Sequence, residues 1–259
     1  MTAAASAATS LFGDVVQPES LSLFSSTSSD PLALWALHQD GDLPEDSGIR
    51  LVIDETNVTA PNDPGVTHES FVVRAEDMRR GASSEPVLHI QSPAIRNAFI
   101  RSPAALGTEL GIELPHISFQ FKSIGSARPF ALEVGIKDES GRRATIRVSS
   151  FQTAPKLYPA GATGTGPVLH LPLRQPDQDE TSLTSWQVLT LDLQQLAGHL
   201  NDTSLLASSD TEGFRGPEQT FGRFHSITHV KIHANIRLRR VWCSRHLPDH
   251  DLPEFQLFS

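Results

Sequence analysis

The sequence predicts an all-β fold, a β-sandwich of jelly-roll type with short helices and long surface loops. Three observations predict it: apolar residues recur at every second position in several short segments, turn chemistry separates those segments, and few stretches carry a helical period. At 38% apolar and 20% charged residues over 259 positions, the chain can bury a core, and its composition gives no case for wholesale disorder.

Residues 1–18, opening on an Ala/Ser/Thr stretch, are expected to be a flexible N-terminal tail, and 19–259 a single sandwich domain. Leu21–Phe24 and Pro31–Trp35 read as strands separated by a Ser-rich turn at Ser25–Ser29. Ile49, Leu51 and Ile53 mark the next strand. A first inserted surface loop is expected near 60–96, where Pro61, Pro64, Pro86 and Pro93 interrupt a charged stretch, with a short strand at Phe71–Arg74. The clearest hairpin joins Leu132, Val134 and Ile136 to Ala144, Ile146 and Val148 through Asp138-Glu139-Ser140-Gly141. The Gly-rich run Gly161–Gly166 lacks a Lys and precedes Pro167, so it is expected to be a loop and not a phosphate cradle. Trp186, Val188 and Thr190 alternate with Leu189 and Leu191, a strand apolar on both faces and therefore expected to be central. A short helix is expected at Asp192–Leu200 and a second inserted loop near 201–220.

Charge excludes one class of partner. A net charge of −9 is the wrong sign for a nucleic-acid binder, which must neutralise phosphates. The charge is uneven: no Arg precedes Arg50 and no Lys precedes Lys122, whereas Arg215 to Arg245 carries seven Lys and Arg residues against Glu218 alone. No apolar run is long enough for a membrane span, and the N-terminus lacks the basic segment of a secretory signal. Cys243 is the sole cysteine, which rules out an intrachain disulfide and suits a reducing compartment.

Catalytic signals are weak. His246, Asp249, His250 and Asp251 crowd together but flank Pro248 in an expected turn, whereas metal ligands need rigid elements and a supporting shell. There is no Gly-x-Ser-x-Gly elbow, no phosphate loop, and no spacing that singles out a catalytic carboxylate pair. Tyr158 and the three Trp residues are too dispersed to suggest a sugar platform. The chain is therefore read as a non-enzymatic protein without metal or cofactor.

The strongest binding signal lies in Val230–Trp242. Alternation puts Val230, Ile232, Ala234, Ile236 and Leu238 on one face and Lys231, His233, Asn235, Arg237 and Arg239 on the other; Arg239-Arg240 breaks the period, as a bulge that turns Arg240 to the same side would. Same-face neighbours on a strand sit about 6.6 Å apart, so the arginines would form a ladder of guanidinium forks for an acidic protein surface. Lys231, His233, Asn235, Arg237, Arg239 and Arg240 are the candidate protein-binding residues. The competing reading from the same spacing pairs these arginines with the chain's own acids.

Ile232–Val241 resembles the signature strand of the cilia- and flagella-associated protein 20 family, and Leu252–Phe255 is similar to its C-terminal segment. Pro31–Trp35, Leu51–Val58, Leu110–Pro115, Ser149–Gln152 and Trp186–Leu193 match further family segments in order, so the resemblance runs from about Glu19 to Phe258. It implies a structural component of the ciliary or flagellar axoneme that bridges A- and B-tubules at the doublet inner junction, with α/β-tubulin and neighbouring junction proteins as partners. The longer stretches near 60–96, 177–184 and 201–220 exceed the compact family member and imply a divergent version. The rival reading is a carbohydrate- or protein-binding sandwich outside the axoneme, for which an aromatic-lined groove would be the mark.

Overall fold

The computed structural model describes residues 9–41, 47–54, 86–125, 128–160, 166–173, 186–206 and 220–247. Two sheets pack face to face. One has seven strands in the order β11 (Lys156–Tyr158), β12 (Val168–Pro172), β10 (Arg143–Ser149), β9 (Ala131–Asp138), β14 (Phe224–His233), β6 (Ala98–Ser102) and β3 (Ala36–Gln39). The other has six: β13 (Gln187–Asp192), β8 (His116–Ser123), β15 (Ile236–Ser244), β5 (Pro86–Gln91) and β4 (Gly48–Ile53), with β2 (Ser20–Ser25) also paired to β15. Alternation supplies the core: Leu132, Val134, Ile146, Val230 and Ile232 from the first sheet meet Leu88, Ile90, Phe119, Phe121 and Leu238 from the second in one buried cluster.

The predicted hairpin is present. Arg143 pairs with Lys137 and Ser149 with Ala131. Asp138 builds the turn, its Oδ1 accepting from the amides of Ser140 (2.9 Å) and Arg142 (2.8 Å), while Gly141 takes the φ of 81° that the turn requires. The helix is also found as α1 (Leu193–His199), capped by Asp192, whose side chain accepts from the Gln195 amide at 2.9 Å.

Several expectations fail for identifiable reasons. Residues 9–17 do not hang free: β1 (Thr9–Ser10) runs parallel to β7 (Thr108–Glu109), and Gln17 bonds the Gly111 carbonyl (2.8 Å) and the Glu113 amide (2.8 Å). Backbone pairing, one amide side chain and Phe12 packed against the core hold a segment expected to be flexible. Pro31–Trp35 is a turn before β3; Trp35 is buried in the core, where its Nε1 is satisfied by donating to the Leu23 carbonyl at 2.9 Å. Within the expected 60–96 loop, β5 is an interior strand with Val87, Leu88 and Ile90 buried, and Pro86 stands at its first position, where a missing amide is tolerated. Phe71–Arg74 lies outside the described residues. The Trp186 segment yields β13 at the sheet edge instead of its centre, with Val188 45% exposed. Residues 203–205 of the second expected loop form a single 3-10 turn, and 207–219 lie outside the described residues.

Cys243 is fully buried in β15, and burial pushes its thiol well above the ordinary range. Gly166 sits where a Cβ would run into the Arg143 carbonyl oxygen, just before β12 enters parallel register with β10 (Thr145 opposite Val168). Because the obstacle is backbone, Gly166→Ala is expected to cost about 1–3 kcal/mol. Equilibrium denaturation checks this; a change within error of zero would show that the β10–β12 junction yields.

Candidate functional site

The six candidate residues do not share one strand. The segment is broken at Ala234-Asn235, where the chain leaves the seven-stranded sheet and enters the six-stranded one. Lys231 and His233 therefore lie on the outer face of one sheet, and Arg237, Arg239 and Arg240 belong to the other. Asn235 lies on neither outer face: it is 1% exposed, its Oδ1 accepts from the Ser92 amide at 2.8 Å, and its Nδ2 donates to the Pro129 carbonyl at 3.0 Å. Its amide satisfies backbone groups at the crossing, so it is a structural residue and not a contact for a partner.

On the six-stranded sheet, cross-strand register aligns Arg50 of β4, His89 of β5, Arg237 of β15 and Lys122 of β8 in one row. The Arg237 guanidinium and the Lys122 ammonium of this row meet at one carboxylate, Asp54. Arg237 Nη1 donates to Asp54 Oδ1 at 2.5 Å and to its carbonyl at 2.8 Å, Lys122 Nζ reaches the same carboxylate at 3.1 Å, and Trp186 Nε1 donates to it at 3.2 Å. Burial alone would raise the Asp54 carboxyl, but bonds from Arg237 and Lys122 outweigh burial and hold it below its ordinary value. His89 is pushed down to about 4, first by burial and then by the Arg237 and Arg50 guanidinium groups.

The expected guanidinium ladder is accordingly committed within the molecule at its first two rungs. Arg237 is clamped by Asp54, and Arg239 is 8% exposed with its guanidinium 5.7 Å from the Trp186 ring centroid. The bulge is real: Leu238 stands opposite Phe121 and Arg240 opposite Gln120, which leaves Arg239 as the extra residue against β8. Arg240 is half-buried.

The seven-stranded sheet carries a groove of about 680 Å³ on its outer face, a feature with no sequence signal because its parts are scattered. Its floor is Glu133 of β9. Arg147 Nε and Nη2 reach Glu133 Oε1 at 2.8 and 2.7 Å, and His233 Nε2 stands 3.3 Å from the same oxygen while its Nδ1 donates to the Ile95 carbonyl at 3.0 Å. Burial would raise the Glu133 carboxyl, but His233 and Arg147 overcome that and hold it at about 2. The walls are Phe99, Phe151 and Tyr158, with Lys231 5.5 Å from the Phe99 centroid. His170, bonded through Nε2 to Ser149 Oγ at 2.8 Å, is pushed down to about 4 by burial and by Arg147. Glu133 is the groove's one carboxylate among the described residues.

No group of three or more metal-ligating side chains occurs among the described residues, and most of the His246–Asp251 cluster lies outside them. Among the described residues no helix is long and apolar enough to cross a membrane.

A family model described as the CFA20 domain matches residues 82–258. The chain belongs to the CFA20 domain family. The match begins just before β5, so β1 to β4 precede the matched CFA20 domain although β3 and β4 form the outer strands of the two sheets. Among relatives, the Cilia- and flagella-associated protein 20 of Paramecium tetraurelia is 25% identical over 174 residues, covering 66% of this chain and 73% of the relative. The protein of the same name from Chlamydomonas reinhardtii is 24% identical over the same shares, and that of Caenorhabditis elegans 26% over 66% of this chain and 68% of the relative. Among solved structures, a family 11 carbohydrate-binding module from Clostridium thermocellum is 10% identical with a TM-score of 0.34, covering 89% of this chain and 98% of the module. A likeness of that degree transfers no function to the CFA20 domain.

Proposed function

We propose that this chain is a non-enzymatic structural protein of cilia or flagella, seated on doublet microtubules at or near the inner junction, where it bridges the A- and B-tubules. Membership of the CFA20 domain family, with relatives named for cilia and flagella, carries the reading. The structure supplies a surface suited to it. In a chain of net charge −9, Arg50, Arg237 and Lys122 of this row, with neighbouring Arg240, concentrate basic groups on one rigid sheet face around a neutral His89, and tubulin offers an acidic counterpart. Asp54 fixes Arg237 and Lys122, so the centre of the basic face is held in place by internal ion pairs instead of being displayed on a flexible loop. Repetition along a lattice would make modest individual contacts sufficient.

Arg237→Glu would set a carboxylate against Asp54 and damage the sheet itself, so the informative variant is Arg50→Glu with Arg240→Glu at the row's margins. In co-sedimentation with microtubules at low salt, that double variant is expected to raise the half-saturating concentration about tenfold or more, and added salt should weaken the wild type in the same direction. Lys231→Glu, on the opposite sheet, serves as the control. Failure of the wild type to pellet with microtubules at any salt, or diffuse staining in a ciliated cell, would remove the proposal.

A further inference from the structure

The groove on the seven-stranded sheet is a second site, on the face opposite the basic row and independent of the axonemal reading. We infer that it binds a short neutral oligosaccharide, laid across β10, β9 and β14 with sugar rings against Phe151 and Tyr158 and a hydroxyl on Glu133. Its volume of about 680 Å³ is that of a built small-molecule site.

The charge pattern selects the ligand. Glu133 is ionised and both Arg147 and His233 converge on its Oε1, so Oε2 meets no donor among the described residues. An ionised, largely desolvated carboxylate with an unused acceptor calls for a hydrogen-bond donor from the ligand. An anion at that point would be repelled by Glu133 itself. A cation would meet Arg147 and Lys231, which flank Glu133 in register on β10 and β14. A hydroxyl is neutral, donates to Oε2, and accepts from Lys231 or Arg147 with the same oxygen; vicinal hydroxyls do both at once. The remaining walls suit the other half of a sugar, because its C–H faces pack on aromatic rings. Phe151 is 48% exposed, and its ring and that of Tyr158 both lean on His170, at centroid distances of 5.6 and 6.3 Å. His170, held neutral, anchors those rings without adding charge.

Titration of the isotope-labelled full chain with neutral tetrasaccharides built from glucose, xylose, mannose, galactose or N-acetylglucosamine, and with tetragalacturonate as the anionic counterpart, tests the assignment. At least one neutral tetrasaccharide should shift amide resonances of β9, β10 and β14 saturably with a micromolar to millimolar Kd, and Phe151→Ala should weaken it about tenfold or more. Phe151 is exposed, so that variant should keep the wild-type spectrum elsewhere. Absence of saturable shifts with every neutral sugar, tighter binding of tetragalacturonate or of an acidic peptide, or unchanged affinity in Phe151→Ala would each overturn the proposal.

Discussion

The midpoint of thermal unfolding is expected to fall by about 10 °C or more as the pH is lowered from about 7 to about 4, because three imidazoles must acquire a proton against their surroundings. His89, His170 and His229 are each pushed down to about 4 in the folded chain, from an ordinary value of 6.5. Burial acts first in each; His89 also faces Arg237 and Arg50, His170 faces Arg147, and His229 faces Lys231, Arg101 and Arg143, with Glu133 acting in the opposite sense on the latter two. A base depressed in the folded state binds its proton more readily when unfolded. The stability it supports is therefore intact above about pH 6.5 and is lost as the pH falls through the window down to about 4. For the buried His89 and His170 the loss is at most about 3 kcal/mol each, and for the half-buried His229 it is smaller. Glu133 extends the decline: its folded value of about 2 lies below the ordinary 4.5, so its contribution persists above about 4.5 and fades as the pH drops toward 2. Melting curves at stepped pH read this directly. A double variant, His89→Gln with His229→Gln, should flatten the profile, and a wild-type midpoint that stays level from pH 7 to 4 would refute the account.

Asn235→Ala is expected to lower stability by about 3 kcal/mol, or about 6–12 °C in midpoint for a domain of this size. The loss comes less from the missing bonds than from what remains behind: the Ser92 amide and the Pro129 carbonyl, both served only by this side chain among the hydrogen bonds described, would stay buried without partners. Asn235→Asp separates the two roles, since it keeps the acceptor for Ser92 but removes the donor to Pro129. Denaturant midpoints should rank wild type above Asn235→Asp above Asn235→Ala or place the two variants together; an alanine variant as stable as wild type would mean that water or a backbone shift replaces the amide.

The position of Asn235 also explains where sequence reasoning stopped. Val230, Ile232, Ala234, Ile236 and Leu238 are all buried, and the period of two runs through them unbroken although two sheets are involved. Both sheets turn their inner faces to the same core, so a chain that steps from one to the other within two residues preserves its apolar rhythm. Alternation reports which side chains point inward; it does not report which sheet holds them. The β9–β10 hairpin was legible because its turn residues and alternation agree, and both lie within one local stretch. β5 was hidden behind Pro86 and Pro93, and the outward apolar residues at Trp186–Leu191, which suggested a central strand, instead place Trp186 against Asp54 and Arg239. The groove drew Phe99, Phe151 and Tyr158 from three separated segments, a convergence that only tertiary structure creates.

Cys243, fully buried near the C-terminal end of a strand bonded on both sides, gives the molecule a built-in clock for the opening of that strand. A thiol so shielded cannot react with an alkylating or disulfide reagent until the end of β15 parts from β2 and β8. As the chain holds no other sulfhydryl, the rate at which reagent is consumed counts the parting of that one strand, free of background from surface sites.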